Sequence, residues 1–196
     1  MGAAPIRPRL REATARLHEE LDRRLVLLDP GLTLPRYREI LAGLLGYYVP
    51  LEERLAQRQI DYPLGIPPWS ARLREDLAAC SLASDAMEGL PRCELLPALD
   101  GRARLAGVLY VLEGAALGGQ FIASVLRQRL GLAQERGLRF FASEGAGTGQ
   151  RWKRFLAWLE SEAEAASPRQ RQQMEDAACE TFATMADWLQ RSGALL

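Results

Sequence analysis

Leucine and alanine recur every three or four residues along almost the whole chain, and nowhere does a stretch keep the two-residue alternation of a half-buried strand. That pattern confines the chain to helices packed on helices. In the first segment Leu10, Ala13, Leu17, Leu21, Leu25 and Leu28 follow at steps of three and four until Pro30-Gly31 stops them. A second helix is predicted over 35–59, with Pro35 in its first turn and a kink at Pro50, which has no N–H to give the preceding turn. "DYPLGIPPWS" reads as a loop, 69–80 and 82–89 as short helices, and "LPRCELLPALDG" as a broken connector. A long helix is predicted over 102–131, a glycine-rich loop over 141–150, and helices over 151–166 and 168–191, the last with Ser167 as N-cap before Pro168. The expectation is a single all-α domain of seven or eight helices over 1–196, with 1–7 a disordered N-terminal extension.

Composition removes several classes of partner. Lysine plus arginine and aspartate plus glutamate number 25 each, and no block of like charge occurs, so nothing asks for nucleic acid. "MGAAPIRPRLREA" has no apolar core of a signal peptide, and the longest apolar runs break short of the roughly 20 residues that span a membrane. Cys80, Cys93 and Cys179 match neither C-x-x-C nor a zinc spacing and read as reduced thiols of a cytoplasmic protein.

The one histidine of the chain, His18, lies in "LREATARLHEELDRRL" on a helical face with Thr14, Leu21 and Leu25, at the margin of the apolar stripe. It is predicted to point inward or into a cleft. Asp22, four residues on, is placed to take a ring N–H, the arrangement that orients a metal-ligating imidazole and also one that suits a packed histidine. With no second histidine, a protein-only zinc site would have to lean on scattered cysteines and carboxylates, and haem is the metal centre that a single imidazole serves.

Two further features stand out. In "LYVLEGAALGGQFIASVL" three glycines, Gly114, Gly118 and Gly119, interrupt a strong helix at about 1 kcal/mol each. Their bare strip admits either a neighbouring helix or a flat ligand against the backbone, and it lacks the strand and spacing of a dinucleotide fingerprint. In "GQRWKRFLAWL" the cations Arg151, Lys153 and Arg154 crowd a helix start, where the dipole disfavours them. They are either solvated surface or anchors for carboxylates.

In order, "LREATARLHEELD", "YREILAGLLGYYVPLEERL", "LEGAALGGQ", "RWKRFLAWL" and "AACETFATMADWL" resemble the heme oxygenase family, in particular the short bacterial enzymes associated with bacteriophytochromes, over about residues 8–192. The resemblance implies haem b, both cofactor and substrate, held between a proximal helix and a glycine-kinked distal helix. By motif His18 looks like the axial ligand of the iron, Gly114, Gly118 and Gly119 like the distal glycines, and Arg11 and Lys153 like cations for the propionates. Tyr110 and Phe182 resemble pocket-wall positions. The implied reaction is oxidative ring opening at a meso carbon to biliverdin, carbon monoxide and ferrous iron. Its electrons come from an external donor such as a ferredoxin, flavodoxin or reductase, and a bacteriophytochrome is the implied recipient. Ala115 stands where many members have an aspartate that organises proton-delivering waters. That difference keeps a second reading open, a non-catalytic haem-binding or haem-delivery protein on the same scaffold, beside a helical partner-binding domain without haem.

Overall fold

The long central helix owes its place to small residues. In the computed structural model, which describes residues 4–58 and 62–195, α5 (Gly101–Leu130) runs unbroken through all three glycines. It packs against α8 (Pro168–Arg191), α7 (Thr148–Ala165) and α6 (Arg139–Ala142). A Cβ at Gly107 would collide with the carbonyl oxygen of Met174, so α5 and α8 cross backbone to backbone there. α5 is long and apolar enough by composition to cross a membrane, yet half of its most apolar stretch is buried against these neighbours, as in a core helix.

α1 (Ile6–Arg24) lies on α8 and α7. It begins inside the segment expected to be disordered: Ile6 is fully buried, and its N–H and that of Arg7 donate to Glu160 at 2.9 and 3.1 Å. Residues 1–3 lie outside the described residues. α1 also ends earlier than its leucine pattern suggests. Val26 takes φ +47° just past the C-cap Leu25, which turns the chain before Pro30-Gly31 is reached. Beyond the turn it is Leu27, outside the predicted period, that folds back into the core, while Leu28 is exposed.

α2 (Leu34–Gln57) packs on α3 (Trp69–Ala79) and α8. Its N-cap is Thr33, whose hydroxyl accepts from the Arg36 N–H at 3.4 Å. The helix continues through Pro50. The carbonyl of Gly46, deprived of its donor by that proline, accepts instead from Cys93 N–H at 2.9 Å, in the connector between α4 (Ser84–Glu88) and α5. Glu52 is half-buried and accepts from Ser70 N–H at 2.7 Å, capping the start of α3. Residue 59, the expected end of α2, lies outside the described residues.

The predicted loop at 141–150 is mostly helical turn: α6, a 3-10 turn at Gly145–Gly147 and the start of α7. Asp76 makes α6 possible by accepting from the N–H groups of Arg139 and Phe140 at 2.7 and 2.8 Å. α8 starts as its sequence predicts, with a capping box between Ser167 and Gln170 and Pro168 in the first turn. No strand occurs among the described residues, and the three cysteines are free thiols.

Candidate functional site

Three helices meet where Tyr110 of α5 reaches α1. Its ring lies 5.9 Å from Trp152 of α7, and its hydroxyl is near the Thr14 side chain of α1. Thr14 itself is buried and donates to Leu10 O at 2.7 Å, so α1 is fixed at this point. Burial pushes the Tyr110 phenol up, while Arg7 and Arg11 nearby pull it down. Arg11 is exposed in a shallow depression that it shares with Arg7, Pro8, Glu12 and Ala15. Trp152 also lies against the position a Cβ at Gly114 would take, at 3.6 Å.

Beyond this junction both helices offer bare surface. One turn further along α1, the His18 side chain is 60% exposed, so it faces outward more than its place on the apolar margin predicts. Its ring meets that of Phe182 edge-on at 5.6 Å, and Phe182 is buried in α8, the helix that packs against both α1 and α5. His18 Nδ1 lies 3.1 Å from Asp22 Oδ2. In the neutral imidazole that bond places the proton on Nδ1, and Nε2 is left as a lone pair with no partner among the described residues. The same bond raises the His18 pKa above its ordinary value, outweighing the opposite effect of partial burial.

The three glycines of α5 do different things. A Cβ at Gly118 would meet nothing within 4 Å, whereas one at Gly119 would lie 2.7 Å from Phe141 O. Gly119 is therefore a close-packing glycine against α6, Gly114 packs against Trp152, and Gly118 is the one turned toward free space. Beside Gly118 the side chains of Leu117 and Phe121 stand exposed, Phe121 at 62%. An aromatic ring and a leucine left in water beside a bare backbone form an apolar surface that something else covers. Ala115 is exposed as well.

The cation cluster of α7 splits. Lys153 is exposed and makes no ion pair among the described residues. Arg151, for which the sequence leaves open solvated surface or a carboxylate anchor, is buried and forms a two-bond pair with Glu113 at 2.6 and 2.8 Å. Neither Glu113 nor Tyr62, whose hydroxyl donates to it at 2.7 Å, is marked by any sequence signal beyond a charge inside an apolar helix. Thr14 and Trp152 were equally inconspicuous; their roles come from contacts between helices far apart in sequence.

Among the described residues no three His, Cys, Asp or Glu side chains converge as a metal cage. A planar macrocycle that brings four ligands of its own needs one imidazole, an apolar wall and cations for its acidic edge. His18, the Leu117–Phe121 surface and Arg11 with Arg7 are that set, and the donor chemistry fits haem.

A model of the heme oxygenase family matches residues 4–191. A heme oxygenase from Xanthomonas campestris pv. campestris is 39% identical over 101 residues, which are 50% of this chain and 53% of that protein, so the chain spans about half the length of that curated relative. The structure of a heme oxygenase from Leptospira interrogans superposes with a TM-score of 0.74 over 95% of this chain and 99% of that one, at 17% identity, which is a likeness of fold. The chain belongs to the heme oxygenase family.

Proposed function

We propose that this protein opens haem to biliverdin, carbon monoxide and ferrous iron, using molecular oxygen and electrons from an external donor. The observation that carries the reading is the free Nε2 of an exposed His18 whose Nδ1 is held by Asp22, within a family-wide match. Haem, when bound, supplies the iron that activates oxygen and the ring that is attacked. The chain's own work is placement. His18 Nε2 holds the iron from one side, and Asp22 keeps the imidazole in the right tautomer and increases its basicity. Gly118 would let the plane lie against α5, with Leu117 and Phe121 excluding bulk water from its apolar part, while Gly114 gives room to Trp152. Arg11, with Lys153 assigned beside it, takes the propionates, while Tyr110 and Phe182 form wall and support. With Ala115 exposed and no carboxylate between Gly114 and Gly119, protons arrive through water at backbone groups of α5.

The exposed arginines of α1 suit an acidic redox partner, a ferredoxin, flavodoxin or reductase. The three free thiols suit a reducing compartment, and the reaction is assigned to the cytoplasm, with a bacteriophytochrome as recipient of the product. Reconstitution with hemin, followed by reductant in air, tests the reading. The expected result is loss of the haem bands with appearance of biliverdin and carbon monoxide. Haem bands that persist unchanged favour the haem-delivery alternative that Ala115 motivates, and absence of any spectral shift on hemin titration refutes both.

The raised His18 pKa gives a pH dependence with two opposite signs. In the ligand-free protein the protonated imidazole paired with Asp22 adds stability below the ordinary histidine pKa, and this is lost as pH rises through the raised value. Haem needs the neutral ring, so its affinity moves the other way, weakening by about tenfold per unit below the raised value. Asp22→Asn is expected to shift the fall in affinity to lower pH. Hemin titrations between about pH 5 and 8 measure this, and superimposed curves for parent and variant contradict it.

A further inference from the structure

The most heavily built polar feature of the molecule lies beside the candidate haem surface and is not explained by holding haem. The Glu113 side chain is 2% exposed and that of Arg151 10%. Arg151 forks onto both carboxylate oxygens of Glu113, and its remaining N–H groups reach Leu64 O at 3.1 Å and Gly65 O at 2.7 Å. Tyr62 adds its hydroxyl to Glu113, and Glu144 stands 3.5 Å from the guanidinium on the outer side. A buried pair of this kind recovers little net stability relative to apolar packing, because desolvating two charges offsets their attraction. What it does supply is a fixed geometry.

Its location says what is being fixed. Glu113 immediately precedes Gly114, and Arg151 immediately precedes Trp152, the side chain that lies against Gly114 and Tyr110. At the other end of the run Gln120, directly after Gly119, donates its side-chain N–H to Gly145 O, and the carbonyl of Phe141 backs Gly119. The loop that carries Glu144 and Gly145 thus touches both ends. Between them the helix has three glycines in six residues, and the side chains of Ala115 and Leu117 stand exposed.

We propose that Glu113–Arg151–Tyr62 at one end, and Gln120 on Gly145 at the other, form a two-point clamp that sets the height and angle of the glycine run above bound haem. Glu113 and Gln120 are then positioning residues that govern which meso edge is cleaved. The inference rests on the haem reading above. A bare helix face can approach a plane at several heights, and only its fixed ends select one.

Three variants test it in the full chain: Glu113→Gln, Tyr62→Phe and Gln120→Ala. Each is expected to bind hemin within about threefold of the parent, because His18 is untouched. With carbon monoxide as a probe of the reduced haem-loaded protein, the C–O stretching band is expected to broaden or split. The ratio of biliverdin isomers is expected to change by about threefold or more in Glu113→Gln, and by less in Tyr62→Phe. A single unshifted C–O band with the parent's isomer ratio in all three variants overturns the clamp. If Glu113→Gln does not fold, the other two, each lacking one hydrogen bond, carry the test by the same criteria. If the parent itself makes no biliverdin, the haem reading fails on its own, and amide exchange in the ligand-free protein decides the clamp. Amides 115–120 are expected to exchange about tenfold faster in Tyr62→Phe or Gln120→Ala while 103–109 keep the parent rate. Unchanged rates at 115–120 refute the proposal.

Discussion

Replacing His18 by alanine is expected to lower biliverdin formation by about a hundredfold or more, at a stability cost under about 1 kcal/mol. The two effects separate because the side chain is 60% exposed, pairs with an equally exposed Asp22 and packs edge-on against Phe182. Little of the core depends on it. What disappears is the one imidazole of the sequence, whose Nε2 would hold the iron of bound haem. Hemin titration should show a changed ligation spectrum, and the melting curve of the ligand-free variant should overlay that of the parent. Added imidazole, small enough to occupy the space vacated beside Phe182, is expected to restore part of the parent spectrum. Full activity with an unaltered haem spectrum in His18→Ala would falsify the assigned role.

The second large effect distinguishes two neighbouring glycines. Gly118→Leu adds a side chain where no atom lies within 4 Å, so the ligand-free protein is expected to gain roughly 0.5–1 kcal/mol from helix propensity. The same side chain fills the space proposed for haem, and hemin affinity should fall by about a hundredfold or more, the equivalent of about 3 kcal/mol of lost contact and clash. Gly119→Ala has the opposite profile. Its new Cβ lies 2.7 Å from Phe141 O, a backbone atom held in place by the Asp76 cap, and overpacking of about 1–3 kcal/mol outweighs the propensity gain. Denaturation midpoints and hemin titrations on both variants read the difference. A more stable Gly118→Leu that still binds hemin like the parent contradicts the position assigned to the haem plane.

Periodicity made the helices legible because each buries one stripe, and α3, α5, α7 and α8 fall within a few residues of the predicted boundaries. The errors have specific causes. α1 stops early because the tertiary contacts of Leu27 outweigh a continuing leucine pattern, and Val26 accepts the left-handed conformation that this requires. The glycine-rich 141–150 stretch forms turns of helix because Asp76, more than sixty residues away, supplies two acceptors to the first N–H groups of α6. At the candidate site, the Asp22 partner of His18 was readable because four residues is one helical turn. Burial of Arg151 was not, since the carboxylate that neutralises it lies on another helix and its other acceptors are loop carbonyls. The helical spacing puts Gly114 and Gly118 on one face and Gly119 on the adjacent one, without saying which face is covered. Only packing separates the one that touches Phe141 from the one that touches nothing.

The proline in the middle of α2 has a consequence for cooperativity. Gly46 is buried, and its carbonyl is served by the connector's Cys93 N–H because Pro50 cannot serve it. Fraying of that irregular segment strands an acceptor in the middle of a helix, away from water, so the segment cannot open at the low free energy usual for a coil. The residues around Cys93 look like a loop but are expected to melt with the core, and an amide-exchange rate at Cys93 typical of a coil would contradict this. A ring that removes one proton from the backbone would thereby enrol them in the same folding unit as α2.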